Sequence, residues 1–309
     1  MASGGHDREK EAPAFAIDGM TVAARPVAPG LHVVATPIGN LGDMTLRGLA
    51  TLAAADLIAC EDTRVTRVLL DRYAISRPLI PYHEHNAAIQ RPRILAELAA
   101  GKAVALVSDA GTPLISDPGY RLAAEAIEAG FAVIPVPGAS AMLAALVASG
   151  LPTDAFYFAG FLPQKQGPRR KRLAALATVP GSLVVYESPK RLAACLADMA
   201  EVLGGDRPAA VARELTKTFE TVRRGTLAGL AGGFAAEATP KGEIVVVVGP
   251  PGEAAAPDAA AIDELLAGLL ATESLRSAAD EAAALTGLPR RDLYQRALAL
   301  KNRADDGDG

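Results

Sequence analysis

Between Leu31 and Ser149, apolar runs of five or six residues alternate with longer stretches whose apolar positions recur every three or four. This rhythm constrains the fold more than any other feature, because runs that short read as strands and the intervening lengths suit crossover helices. Leu31–Thr36, Asp56–Cys60, Ala103–Val107 and Ala132–Val136 are predicted strands. Leu46, Leu49 and Leu52 fall at helical spacing. Asn86 can cap a helix running to Ala100, with Gly101 just past its end. A helix over Gly119–Ala129 stops at Gly130, and another runs from Pro137-Gly138-Ala139-Ser140 to about Ser149. The pattern predicts a largely parallel sheet with helices on both faces over residues 29–149.

Gly150-Leu151-Pro152-Thr153 reads as a linker into a second α/β unit, residues 150–250. Its predicted strands are 155–159, 182–186, 209–213, 218–224 and 243–248, with helices near 167–177 and 189–203. After Gly249-Pro250-Pro251-Gly252 comes a helical extension, residues 258–303, in three segments. The turn at Gly287 and the basic residues Arg290, Arg291 and Arg296 suit either a helix-turn-helix or a small helical cap. Residues 1–28 mix Gly, Pro, Ala and charge without periodicity and are expected to form a disordered tail.

Half the residues are apolar, yet aromatics are only 4 % and Trp is absent, so Ala, Leu and Val must fill the cores. The formal net charge of −4 excludes nucleic-acid binding by overall charge and leaves only a local basic patch. Cys60 and Cys195 stand far apart, unlike a zinc cluster, and are expected to be buried and reduced. The uncharged stretch Ala129–Thr153 is long enough to span a bilayer, but Pro135, Pro137, Gly138 and Pro152 interrupt it. A soluble, cytoplasmic protein is expected.

In open parallel sheets, ligands bind beyond the carboxyl ends of the strands. Several strand ends here are rich in small and polar residues. Thr36-Pro37-Ile38-Gly39-Asn40-Leu41-Gly42-Asp43 is only loosely like a nucleotide loop. Ser108 to Gly119 is a twelve-residue loop carrying Asp109 and Asp117, a length that suits a ligand site. Pro137-Gly138-Ala139-Ser140-Ala141 offers helix N–H groups or simple capping. Cys60-Glu61-Asp62-Thr63-Arg64 can bind a polar substrate, position a base, or start a salt-bridged helix. His83-Glu84-His85 lacks metalloprotease spacing, and no metal site is expected. Ser140 and Ser188 have no convincing His partner, so a hydrolase triad is unsupported.

These motifs, followed by Gly160-Phe161-Leu162-Pro163, Tyr186-Glu187-Ser188-Pro189-Lys190-Arg191, Ala212-Arg213-Glu214-Leu215-Thr216-Lys217 and Lys241-Gly242-Glu243, resemble in order the RsmI family of ribosomal RNA cytidine 2′-O-methyltransferases. The resemblance covers about residues 30–250 and, weakly, the helical tail. It implies a two-domain tetrapyrrole-methylase-like fold of the class III methyltransferases and a homodimer. It implies S-adenosyl-L-methionine as methyl donor and a cytidine ribose of 16S rRNA in the small ribosomal subunit as acceptor. The implied cofactor contacts are Pro37, Gly39, Asp109, Gly111, Thr112, Pro113, Ser116, Asp117 and Ser140, closed over by Leu162, Ala212, Pro240 and Lys241. Glu61 and Asp62 are the candidate general bases. Arg64, Lys217 and the run Lys165, Arg169, Arg170 and Arg172 are the candidate RNA contacts. The residues from 1 to 28 have no counterpart in the family pattern and are expected to be dispensable. Two competing readings are a precursor-tetrapyrrole methyltransferase on the same fold and a non-catalytic ribosome-assembly factor.

Overall fold

The computed structural model describes residues 12–115, 120–252 and 259–306. It opens with a hairpin, β1 (Ala14–Ile17) paired antiparallel with β2 (Met20–Ala23). The turn residues Asp18 and Gly19 both take positive φ, 48° and 82°. Asp-Gly tolerates that conformation, which a two-residue hairpin requires. Phe15 is 3 % exposed and packs with Leu49, Leu52 and Tyr73, and the Ala16 N–H donates to the Tyr73 carbonyl at 2.8 Å. The later part of the supposed disordered tail is therefore ordered, because Phe15 finds a core to enter. Residues 1–11 lie outside the described residues.

There follow β3 (Gly30–Val34), α1 (Leu46–Ala54), β4 (Leu57–Cys60), α2 (Thr63–Arg72), β5 (Leu79–Pro81) and α3 (Ala87–Ala99). Then come β6 (Ala103–Val107), α4 (Tyr120–Glu128), β7 (Val133–Val136) and α5 (Ala141–Ser149). The five strands β3–β7 form a sheet in the order β5-β4-β6-β3-β7, every neighbouring pair parallel. Every residue of β3, β4 and β6 is buried, which accounts for sequences that are apolar throughout but for His32. Leu49, Leu52 and Leu70 cover one face, and Ile94, Leu98 and Leu122 the other.

The second half contains β8 (Phe156–Phe161), α6 (Gln166–Ala174), β9 (Ser182–Glu187) and α7 (Leu192–Leu203). It continues with β10 (Pro208–Arg213), β11 (Thr221–Thr226), α8 (Leu227–Ala236) and β12 (Ile244–Val248). Its sheet has the order β11-β10-β12-β9-β8, in which only β8 and β9 run parallel. The second sheet is thus mainly antiparallel, where the first is wholly parallel. The β10–β11 connection is too short for a crossover helix and enforces a hairpin.

One face of this sheet is covered by α6, α7 and α8 around Leu173, Leu196 and Leu230. The other receives α5 from the first half: Ala145 and Leu146 pack with Val184, Val245 and Val247. Ser140 caps the start of α5, accepting from the Leu143 N–H, and Arg224 of β11 donates to the carbonyls of Ala148 and Ser149 at its end. This helix therefore belongs to both sheets.

Residues 259–306 pack separately as α9 (Ala259–Leu270), α10 (Leu275–Thr286) and α11 (Arg290–Asp306) around Ile262, Leu266, Ala282 and Leu293. Gly287, at φ 68°, ends α10 by donating to the Ala283 carbonyl. Arg290 pairs with Asp280 and Arg296 with Asp263, so these two cations tie the helices together. Among the described residues no helix is long and apolar enough to cross a membrane.

Candidate active site

The strand-end loops of the first sheet are bonded to one another. Thr36 and Gly111 exchange backbone hydrogen bonds of 2.9 and 3.0 Å, and the Thr36 hydroxyl donates to the Ser108 carbonyl at 3.0 Å. The Thr112 hydroxyl donates to the Ala139 carbonyl at 3.2 Å, and the Asp62 N–H donates to Asp109 Oδ1 at 2.9 Å. These bonds join the loops after β3, β4, β6 and β7 into one rim, and Asp109 fixes the backbone beside Glu61. Burial pushes the Asp109 carboxyl above its usual pKa.

Against this rim, residues of the second sheet close a cleft of about 450 Å³. From the first half, Glu61, Gly111, Thr112 and Ser140 line it, and from the second, Phe161, Tyr186, Glu187, Ser188, Ala212 and Glu243. Phe158 and Phe161 pack edge-on to Tyr186, with centroids 4.9 and 5.6 Å away. Glu187 accepts from the Ser188 N–H at 2.7 Å and faces Arg191 at 3.2 Å. Three carboxylates border the cleft, and among the described lining residues there is no Lys, Arg or His. Such a lining favours a cationic ligand over an anionic one.

A second cavity of about 340 Å³ opens beside it and holds Pro37, Gly39 and Asp109 together with Leu41, Val65, Val68 and Lys217. The two cavities share Ile38, Ser108, Ala110 and Glu243. Lys217 reaches from the second half across Gly39: at φ 148°, a Cβ there would stand 2.4 Å from the Lys217 stem. Its ammonium donates to Glu214 Oε1 at 2.8 Å and Glu243 Oε2 at 3.0 Å. Burial alone would lower the Lys217 pKa, but these hydrogen bonds outweigh it and hold the group above its usual value.

The candidate cofactor residues therefore divide. Gly111, Thr112, Ser140 and Ala212 line the larger cleft, and Pro37, Gly39 and Asp109 the smaller. Pro113 is buried beside Thr112. The Leu162 side chain lies in the second core, while the adjacent Phe161 faces the cleft. Pro240 borders a separate cavity next to Phe234, and Lys241 meets Arg213 through its carbonyl. Ser116 and Asp117 lie outside the described residues. Sequence reasoning missed Tyr186, Glu187, Ser188 and Glu243 as cleft residues; their strand ends carried the signal, but the second sheet's strand order was needed to use it.

Of the two candidate bases, Glu61 borders the cleft. Asp62 instead caps α2, accepting from the Arg64 N–H at 2.8 Å, and pairs with the Arg64 guanidinium. Those hydrogen bonds from Arg64 lower its pKa to about 2. A carboxylate so weakly basic and already engaged is poorly suited to take a proton near neutrality.

The basic run also divides. Arg169 is 5 % exposed, donating to Asp198 Oδ2 at 2.7 Å and to the Gln164 carbonyl at 3.0 Å. Arg170 donates to Asp198 Oδ1 at 2.7 Å and pairs with Glu201. Both point toward α7, whose acids lie 28 to 31 residues further along the chain. Lys165 and Arg172 are exposed, and Arg172 donates to the Tyr157 hydroxyl at 2.9 Å. Arg64 is 89 % exposed. Among the described residues no group of three or more His, Cys, Asp or Glu could hold a metal ion.

The chain matches two family models, tetrapyrrole (corrin/porphyrin) methylases over residues 30–231 and the RsmI C-terminal HTH domain over residues 256–301. It is 60 % identical over 288 residues to ribosomal RNA small subunit methyltransferase I of Mesorhizobium japonicum, spanning 93 % of this chain and 98 % of the relative. It is 48 % identical over 278 residues to the protein of that name from Synechocystis sp., spanning 88 % and 98 %. Among solved structures, the cobalt precorrin-4 methyltransferase of cobalamin biosynthesis superposes with a TM-score of 0.55 at 18 % identity, over 71 % of this chain and 94 % of that one. A uroporphyrin-III C-methyltransferase from Thermus thermophilus complexed with S-adenosylhomocysteine gives 0.51 at 21 %, over 71 % and 97 %. At those identities the likeness establishes the fold.

Proposed function

Because the chain belongs to the tetrapyrrole methylase family and, within it, to the ribosomal RNA small subunit methyltransferases I, we propose that it transfers a methyl group from S-adenosyl-L-methionine to the 2′-oxygen of a cytidine in 16S rRNA. The observation that carries this reading is the larger cleft: acid-bordered, without a cationic side chain among its described lining residues, and faced by the Tyr186 and Phe161 rings. That donor set fits a sulfonium, since carboxylates and aromatic faces both attract a cation. Gly111, Thr112, Ser140 and Ala212 would hold the donor. When bound, it supplies a methyl carbon already made electrophilic by its positive sulfur.

What remains for the protein is alignment and proton transfer. The bonded rim of loops holds Ser108, Thr112 and Ser140 in fixed relation, so little order must be created when the reactants meet. Glu61 accepts the proton of the ribose hydroxyl as its oxygen attacks; general-base help of this kind is worth roughly 10²–10⁴-fold. Asp109 places Glu61 by holding the neighbouring N–H of Asp62. Of the cations that the sequence offered for rRNA, Lys165, Arg172 and Arg64 are exposed and would contact its phosphates. A homodimer agrees with the apolar side chains left exposed on α5 and β8, notably Leu143, Val147 and Phe156, and sedimentation would test it.

The test is transfer of labelled methyl to small ribosomal subunits lacking the modification, followed by mapping of the labelled nucleotide. Label on the ribose of a single cytidine is the expected result. Binding of S-adenosylhomocysteine without transfer to subunits or free rRNA would overturn it and direct attention to tetrapyrrole acceptors and to an assembly role.

A further inference from the structure

We infer that the smaller cavity receives the target base, and that Glu243 and Lys217 read its hydrogen-bonding edge as cytosine. This rests on the reading that the chain methylates a cytidine. Enzymes that must reach an atom inside stacked nucleic acid draw the nucleotide out and hold its base against apolar side chains. The smaller cavity offers such a place directly beside the donor cleft, with Ile38, Ser108, Ala110 and Glu243 common to both walls. A base there leaves its ribose at the shared wall.

The walls suit a flat ring. Helix α2 buries Thr66, Leu69 and Leu70 in the first half. It nevertheless presents two further apolar side chains to the cavity, Val65 and Val68, the latter 63 % exposed. Leu41, from the loop after β3, lines the same cavity. Large apolar groups left in water around one opening usually mark a binding surface.

The polar end suits cytosine. Lys217 donates two hydrogen bonds, to Glu214 and Glu243, and an ammonium has a third to give. Glu243 meets Lys217 through Oε2, and its side chain remains 72 % exposed. The pair thus offers a carboxylate acceptor beside an ammonium donor. Cytosine presents the complement on one edge, an amino donor beside ring-nitrogen and carbonyl acceptors, and a carboxylate accepting from that amino group is a recognised pairing. Uracil puts a carbonyl where the amino group stands and would face Glu243 oxygen to oxygen.

With two carboxylates against one ammonium, the group is net negative, so it is unsuited to the phosphate that sequence reasoning assigned to Lys217. The local backbone is held at a cost. Glu214 and Thr216 take positive φ, 52° and 66°, and Thr216 Oγ1 is buried with no hydrogen-bond partner. A left-handed β-branched residue is a true outlier, and such strain collects where a loop must present a side chain.

The experiment compares methyl transfer to small subunits carrying the target cytidine and to subunits with uridine there, for the wild type, Glu243→Gln and Val68→Trp. Each protein is also titrated with S-adenosylhomocysteine. The wild type should prefer cytidine by about tenfold or more. Glu243→Gln, whose amide can turn either oxygen or nitrogen to the base, should narrow that preference to about threefold or less. Val68→Trp fills the opening from an exposed position and should lose transfer while binding S-adenosylhomocysteine within about twofold of the wild type. An unchanged cytidine preference in Glu243→Gln, or normal transfer by Val68→Trp, would overturn the inference. Absence of transfer by the wild type itself would instead refute the methyltransferase reading on which it stands.

Discussion

The interior of the second half makes a sharp prediction about Asp198. Its carboxylate is 1 % exposed and accepts hydrogen bonds from Arg169, Arg170 and Gln166. Asp198→Asn keeps the shape and removes the charge, leaving the buried Arg169 guanidinium without its counter-ion. Removing one member of a buried pair costs about 3–5 kcal/mol. At a urea slope of about 3 kcal/mol/M, the midpoint should fall by roughly 1–1.7 M. Arg170→Gln, whose side chain is more than a third exposed, should cost no more than about 1 kcal/mol. Arg172→Gln should leave the midpoint alone. Urea melts followed by circular dichroism give all three, and salt titrations of rRNA binding complete the set. Arg169→Gln should destabilise strongly without flattening the salt dependence. An Asp198→Asn midpoint within 0.3 M of the wild type, roughly 1 kcal/mol on that slope, would refute the argument, as would a flattened salt slope in folded Arg169→Gln. Acid should act in the same direction. Burial alone would raise the Asp198 pKa, but the hydrogen bonds from Arg170, Arg169 and Gln166 outweigh it and lower it. Its contribution is therefore complete above the unfolded value, about 3.9, and is lost as pH falls below about 4 through the folded value.

Three further outcomes are expected. Glu61→Gln should slow single-turnover transfer by about 10²-fold or more, whereas Asp62→Asn, which keeps a capping oxygen, should stay within about threefold; equal losses would return Asp62 to the list of bases. Phe15→Ala should destabilise the protein by about 3–5 kcal/mol, read from thermal or urea melts, and a loss under 1 kcal/mol would mean that the hairpin is dispensable after all. Gly39→Ala forces an L-residue to φ 148° against the Lys217 stem and should cost about 1–3 kcal/mol while weakening transfer; a variant as stable and active as the wild type would show that the contact does not matter.

Much of this was legible in the chain. Fully buried strands such as Ala103–Val107 announce themselves by unbroken apolar sequence, and the carboxyl-end rule then locates the loops at Thr36, Ser108 and Pro137. What escaped was long-range or very short-range. Nothing near Arg169 in sequence discloses Asp198, so a buried ion pair looked like part of an RNA-facing strip. The β5 strand, Leu79–Pro81, is too short for periodicity to reveal. The hairpin at Asp18-Gly19 did carry a signal, but composition drew attention away from it. Glu187 and Glu243 were not brought to the cleft, because placing them needs the strand order of the second sheet, in which β12 runs antiparallel to its neighbours.

The placement of α5 bears on how reactants come and go. Its start is capped by Ser140 at the cleft, its end is held by Arg224 from the opposite sheet, and its middle is buried against β-strands of the second half. Swinging the halves apart would strip Ala145 and Leu146 from that surface and break the Arg224 hydrogen bonds at the end of the helix. Traffic through the cleft is therefore expected to leave the two halves together. Exchange of spent donor for fresh should be insensitive to forces that separate the two sheets.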